Sequence, residues 1–186
     1  MHRGDSLKGQ IKKISSNSAE GKCALYVMGL DQRVSDNHAL LAAQKYAIAK
    51  ELPLAVVLCM SLTTGANTIT QYQSKLDGLN NLEDDLAKYN IPFIVVIGEP
   101  KEKLSAVFHH TQPDAVYFDD NTPQGLKLLY DLSVVAPHIR CVISDSKAPN
   151  KGQVEPMQVV VHPYDWPGKV QTLSELKVYI NTIIIS

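Results

Sequence analysis

The sequence has few of the residues that define disulfide-bonded or electron-transferring proteins. Among its 186 residues there are three cysteines and a single tryptophan, Trp166. Cys23, Cys59 and Cys141 each lie in or beside an apolar run, which predicts buried free thiols in a reducing compartment. Because the three are not closely spaced, we expect no zinc site.

Net charge and long apolar runs are also lacking. The formal net charge is -1, so no global field attracts a polyanion, and direct DNA binding by the whole surface is not expected. No apolar run reaches the roughly 18–20 residues that span a bilayer, and the first ten residues lack the apolar segment of a secretory signal. These features predict a cytoplasmic protein without a membrane partner.

What the sequence does contain is a regular alternation of short apolar runs and helical patterns. Continuously apolar strands that alternate with helices predict a parallel sheet covered on both faces. With right-handed crossovers, we expect a doubly wound, Rossmann-like α/β fold of five strands in the order 3-2-1-4-5. The five predicted strands are Cys23–Met28, 54–59, Phe93–Ile97, 115–118 and 139–143.

The two ends of the chain depart from this alternation. Residues 1–20 are polar and turn-rich, so we interpret them as a flexible lead-in to one domain at 21–186. Residues 144–168 are rich in loop-forming residues, although 157–161 suits an additional C-terminal edge strand. A closing helix is predicted from Leu173, because 172–175 has the spacing of a capping box.

The strand order predicts where a ligand would bind. In open parallel sheets, ligands bind beyond the carboxyl ends of the strands, where the order reverses. Here that crevice lies between the first and fourth strands, and a nucleotide or another phosphate-bearing ligand suits it, because a helix begins near Asn37. The candidate ligand-binding residues are Met28, Gly29, Leu30, Asp31, Arg33, Asn37, His38, Ser61, Asp119 and Asp120.

These polar residues also have a structural interpretation. Asp31, Arg33 and Asn37 can form an ion pair, a helix cap and a loop network without a ligand. Asp119 and Asp120 can hold a metal, but a turn and a helix cap is the preferred interpretation. No Walker A loop, glycine trio or strained nucleophile serine is present in the sequence, so no catalytic or metal-ligating residue is assigned.

The segment Met28-Gly-Leu-Asp-Gln-Arg-Val-Ser-Asp-Asn-His-Ala-Leu-Leu41 resembles the opening motif of the class II DNA photolyases. That motif reads roughly Met-Ser-Arg-Asp-Gln-Arg-Val-x-Asp-Asn-Trp-Ala-Leu-Leu. This chain has Gly29, Leu30 and His38 where the family has Ser, Arg and Trp. Further segments resemble the family over roughly residues 22–143, among them 71–79, 87–93 and 98–100.

The resemblance implies a stand-alone α/β antenna domain related to DNA repair enzymes. In that family the domain houses a deazaflavin or folate chromophore, and the FAD lies in a later helical domain. That helical domain is not expected within these 186 residues, so neither FAD binding nor dimer repair by this chain alone is expected. Whether any lyase activity remains is left open.

Two functions follow from these observations. The first is binding of a small ligand of antenna-chromophore or nucleotide type (a deazaflavin, a folate or a nucleotide) at the carboxyl ends of the strands. The second is protein interaction, either with a separate helical flavoprotein or as a homodimer. The sequence offers exposed strand edges or the apolar end of its last helix for such contacts.

Overall fold

A computed structural model describes residues 11–13, 20–61, 69–137 and 139–144. In chain order the elements are β1 (Ile11–Lys13), β2 (Cys23–Met28), α1 (His38–Lys50), β3 (Leu54–Met60), α2 (Ile69–Ala87), β4 (Phe93–Ile97), α3 (Pro100–Thr111), β5 (Pro113–Phe118), α4 (Pro123–Val135) and β6 (Arg140–Ser144). Among the described helices, none combines the length and apolar character that a membrane span requires.

The sheet confirms the predicted topology. Its order is β1-β6-β5-β2-β3-β4, and the five strands from β2 to β6 pair in parallel. Numbered as predicted, these five strands have the order 3-2-1-4-5. From β2 to β6, each strand is connected to the next strand in the chain by a helix, as a doubly wound sheet requires.

The central strand β2 explains why the sheet needs helices on both faces. All six of its residues are buried, and successive side chains point to opposite faces. Tyr26 and Met28 pack on one side with buried residues of α1 and α2. Leu25 and Val27 pack on the other side with buried residues of α3 and α4.

A short N-terminal strand extends the sheet at the β6 edge. β1 pairs antiparallel with β6, with Ile11 opposite Ser144. The sequence analysis did not predict this strand, because three residues in a polar segment carry no periodic signal. The edge strand predicted at 157–161 and the helix predicted from Leu173 lie outside the described residues.

Helix ends follow local chemistry. Asn37 caps α1, because its side-chain oxygen accepts the Leu40 amide at 2.9 Å. Pro123 occupies the first turn of α4, where its missing N–H costs nothing, and Thr122 is the N-cap. The helix predicted to begin near Asn37 is thus confirmed, and Asn37 is its cap.

We expect Leu129→Ala to destabilise the protein by about 2–5 kcal/mol, because the substitution leaves a cavity between α4 and the sheet. Leu129 is fully buried. The neighbouring Tyr130, at 64% exposure, supplies the matched control, and Tyr130→Ala should change stability by about 0.5 kcal/mol or less. Urea denaturation of both variants measures the difference, and equal losses would contradict the packing of α4.

Candidate functional site

A buried carboxylate joins the ends of β2 and β5. Asp119, directly after β5, accepts the Gly29 amide at 2.7 Å and the Asp31 amide at 2.9 Å. Its side chain is only 3% exposed. The gap between the first and fourth predicted strands is therefore crossed by hydrogen bonds, whereas the strand order predicted a ligand crevice there.

Tyr26 and Asn37 extend this network into the sheet and into α1. The Asn37 side-chain amide donates to the Tyr26 hydroxyl at 3.0 Å and to the Arg33 carbonyl at 3.0 Å. The Tyr26 hydroxyl in turn hydrogen-bonds Asp119, and burial together with this carboxylate raises the pKa of Tyr26. All the polar groups named here thus have partners within the protein.

Asp31 and Arg33 form a bidentate ion pair at the surface of the same loop. Nε and a terminal nitrogen of Arg33 each donate to an Asp31 oxygen at 2.7 Å. The hydrogen bond to Asp31 raises the pKa of Arg33. The guanidinium of Arg33 is half exposed, and its charge is neutralised by the Asp31 carboxylate.

Asp120 closes the turn before α4. Its Oδ1 accepts the Thr122 amide at 3.0 Å and the Thr122 hydroxyl at 2.6 Å. Gly125 is required beside it, since an added Cβ would lie 2.3 Å from the Asp120 carboxyl carbon. Asp120 therefore has the turn role that the sequence analysis preferred, whereas the cap of α4 is Thr122.

His38 begins α1 next to the network. Its Nε2 lies 3.7 Å from an oxygen of Asp36, whose backbone is left-handed at φ 56°. Its Nδ1 is buried and has no hydrogen-bond partner in the described part of the chain. An unsatisfied ring nitrogen is uncommon in a protein interior.

An open cavity lies one strand away from the bridged gap, between the ends of β2 and β3. Its volume is about 250 Å³. Polar and apolar groups both contribute to its wall. The lining residues are Met28, Gly29, Gln32, Leu58, Cys59, Met60, Ser61 and Leu79.

The structure divides the predicted site residues into two groups. Met28, Gly29 and Ser61 line the cavity. The others lie in the surrounding loops: Asp31, Arg33, Asn37 and Asp119 in the hydrogen-bond network, Asp120 in its turn, His38 at the helix start, and Leu30 at 61% exposure.

Sequence reasoning missed five lining residues and Tyr26. In the structure, Met28 pairs with Leu58, so β3 runs beyond β2 at this edge and its last residues reach the cavity. Leu79 reaches the cavity from α2 through tertiary packing, which no sequence pattern indicates. Tyr26 looked like any core residue of a buried strand.

A second groove, of about 240 Å³, lies between α3 and α4. Phe108, Gln112 and Ile139 contribute to its wall. Gln112 and Ile139 precede β5 and β6, so this groove is at the amino ends of the strands, whereas ligands of such sheets bind at the carboxyl ends.

The described residues contain no group of three or more His, Cys, Asp or Glu side chains that could hold a metal ion. All three cysteines are free thiols. Cys23 and Cys141 are buried as predicted, whereas Cys59 is only partly buried at the cavity.

The fold and this junction between strand and helix are those of a photolyase-type α/β domain. The family model for DNA photolyase matches residues 24–126, more than half of the chain, and the chain belongs to that family. Among curated proteins, the deoxyribodipyrimidine photo-lyase of Potorous tridactylus is 38% identical over 102 residues, which are 53% of this chain and 19% of that protein. The chain thus spans about a fifth of the curated relative.

Solved photolyases share the fold. A bacterial class III photolyase from Agrobacterium tumefaciens aligns at a TM-score of 0.64 and 18% identity, over 88% of this chain and 39% of that one. An archaeal photolyase from Sulfolobus tokodaii aligns at 0.54 and 20% identity, over 66% and 29%. The predicted resemblance to the photolyase family is therefore confirmed.

We expect Asp119→Asn to lower the free energy of unfolding by about 1–3 kcal/mol at pH 7, because the asparagine NH2 group only donates and would face a backbone N–H, whereas both carboxyl oxygens can accept in either protonation state. Burial raises the pKa of Asp119, opposed by the hydrogen bonds from Asp31 and Gly29. The folded protein therefore holds this proton more tightly than the unfolded chain does. The stability so gained is complete below about pH 4 and is lost as pH rises through the raised pKa.

Urea denaturation between pH 4 and pH 7 measures this effect. The stability difference between the wild type and Asp119→Asn should shrink as pH rises, because only the wild type titrates at this position. The exposed Asp85→Asn is the matched control and should cost about 0.5 kcal/mol or less. A wild-type advantage that grew with pH would contradict the raised pKa.

Proposed function

We propose that this chain is a ligand-binding α/β domain of photolyase type. It takes a small molecule of antenna-chromophore or nucleotide type into the cavity between β2 and β3. The single observation that carries the proposal is the cavity of about 250 Å³ at the carboxyl ends of the strands. Small-molecule sites on open parallel sheets lie at this edge.

The composition of the wall supports ligand binding over simple solvent exposure. Met28, Leu58 and Leu79 are buried and supply apolar surface, whereas Gln32 and Ser61 supply groups that form hydrogen bonds. Apolar surface next to a few convergent polar groups is a feature of small-molecule sites.

Gly29 also shapes the site through its neighbours. A Cβ at this position would lie 2.8 Å from an Asp119 oxygen, so a larger residue would disturb the bridge between β2 and β5. The bridge holds the loop from Gly29 to Gln32 over the cavity. The hydrogen-bond network is thus a support for the binding site, and the cavity is the site itself.

The family supports a chromophore as the ligand class. The Sulfolobus tokodaii photolyase was solved with two FAD molecules, which implied a novel light-harvesting cofactor. By analogy we extend a flavin-like, deazaflavin or folate ligand to this chain.

We expect Ser61→Phe to weaken binding at least about tenfold, because a phenyl ring would occupy space in the cavity. Equilibrium dialysis and thermal denaturation with riboflavin, FMN and ATP measure binding to the wild type and the variant. Ser105→Phe, a partly buried serine far from this cavity, serves as the control for the added ring. If none of these probes binds the wild type or raises its melting temperature, the proposal fails.

A second candidate function is self-association through α4. Leu126, Tyr130 and Val134 recur every four residues and are 40–64% exposed, so they form one apolar stripe along the helix. Lys127 and Asp131 flank the stripe. In an antiparallel pair of α4 helices about a twofold axis, the two stripes would cover each other, which favours a homodimer.

We expect the wild type to form a dimer at micromolar concentrations, and Tyr130→Asp to be monomeric, because the dimer would bury an unpaired carboxylate. Light scattering coupled to size exclusion measures the mass at several concentrations. Asn81→Asp, at an exposed position of α2, should leave the dimer unchanged. A wild type that remains monomeric throughout would refute this second function.

A further inference from the structure

The charges around the cavity bear on the choice between the two proposed ligand classes, an antenna chromophore and a nucleotide. None of the eight lining residues in the described part of the chain carries a charge. A phosphate group in this cavity would therefore meet no cation among these lining residues, and burying an unpaired charge is costly.

On the Gly29 side of the cavity, the nearby charges are negative or already neutralised. Asp119 contacts the backbone of Gly29, and Asp31 follows two residues later in the same loop. Arg33, the cation of this loop, is held by both oxygens of Asp31. An anion at the Gly29 end of the cavity would thus be repelled by Asp119 without gaining a free guanidinium.

The described residues of the opposite wall carry no positive charge either. Burial and the nearby Glu99 raise the pKa of the Cys59 thiol to about 11, although Lys103 opposes them. Cys59 is therefore a neutral thiol at pH 7, and of its two charged neighbours the acidic one has the larger effect. This end of the cavity is also unfavourable for an anion.

The size of the cavity is an independent argument against a phosphate-bearing tail inside it. An apolar cavity of about 150 Å³ holds a benzene ring. At about 250 Å³ this cavity has room for a fused ring system, yet it lies below the roughly 300–1,000 Å³ of sites that enclose whole drug-sized ligands. A sugar-phosphate tail would have to lie outside it.

Sulfur atoms in the wall suit an aromatic ring. Met28 and Met60 belong to the same face of the sheet, at the ends of neighbouring strands, and both line the cavity. Thioethers are polarizable and make favourable contacts with aromatic rings. Gln32 and Ser61 can hydrogen-bond the polar edge of a heterocycle.

From these observations we propose that the cavity selects an uncharged aromatic heterocycle and discriminates against the phosphorylated form of the same ring. This inference rests on the proposed binding function and decides between its chromophore and nucleotide alternatives. Discrimination comes from the missing cation and the adjacent carboxylates, and recognition comes from the thioethers and the two polar lining residues.

Riboflavin and FMN test the inference, because they share one ring system and differ by a single phosphate. Adenosine and AMP form a second matched pair. Fluorescence titration for the flavins and calorimetry for the adenine compounds give the dissociation constants at low ionic strength, where charge effects are least screened. We expect the phosphate-free member of each pair that binds to bind at least about tenfold more tightly.

A charge-insertion variant tests the cause of the selectivity. Gln32 is an exposed lining residue, so Gln32→Lys adds a cation at the cavity without altering the core. The variant should reduce the preference for riboflavin over FMN at least about fivefold. The uncharged Gln32→Met is the matched control and should keep the wild-type preference.

The possible outcomes separate this inference from the function on which it rests. If FMN binds as tightly as riboflavin or more tightly, binding stands and the proposed selectivity is overturned. Selectivity that Gln32→Lys leaves unchanged would overturn its electrostatic origin. If no member of either pair binds, the proposed function itself fails.

Discussion

The carboxylate of Asp119 is the constraint on which the site depends. It ends β5 and receives two backbone amides from the loop after β2, so it fixes the place where the central strand turns towards α1. A buried carboxylate without such donors would be strongly destabilising. Because both of its oxygens are used, Asp119 supports the loop and closes the gap between β2 and β5.

Closure of that gap accounts for the position of the cavity. Ligands of doubly wound sheets commonly bind where the strand order reverses, here between β2 and β5. Among the described residues, an opening lies instead between β2 and β3, and Gly29 and Gln32 form part of its wall. The same interaction thus stabilises the fold and shifts the candidate site by one strand.

The motif shared with the photolyase family is largely a structural element in this chain. Asp31 pairs with Arg33, and Asn37 joins the cap of α1 to Tyr26. The network accounts for these side chains without any ligand, whereas two of the three departures from the family motif, Gly29 and Leu30, lie towards the cavity and the solvent. Family membership therefore argues for the shape of the domain more strongly than for any particular ligand.

The sequence by itself determined the order of the strands, the helices and the start of α1 near Asn37. Continuous apolar runs and helical periodicity are local signals, and parallel connections allow few topologies. Tertiary structure alone decided the pairing of Ile11–Lys13 with β6 and the contribution of Leu79 to the cavity. It also decided that Asp119 accepts two backbone amides from the loop after β2. These depend on residues that are distant in the chain and meet only when the sheet forms, so no local pattern encodes them.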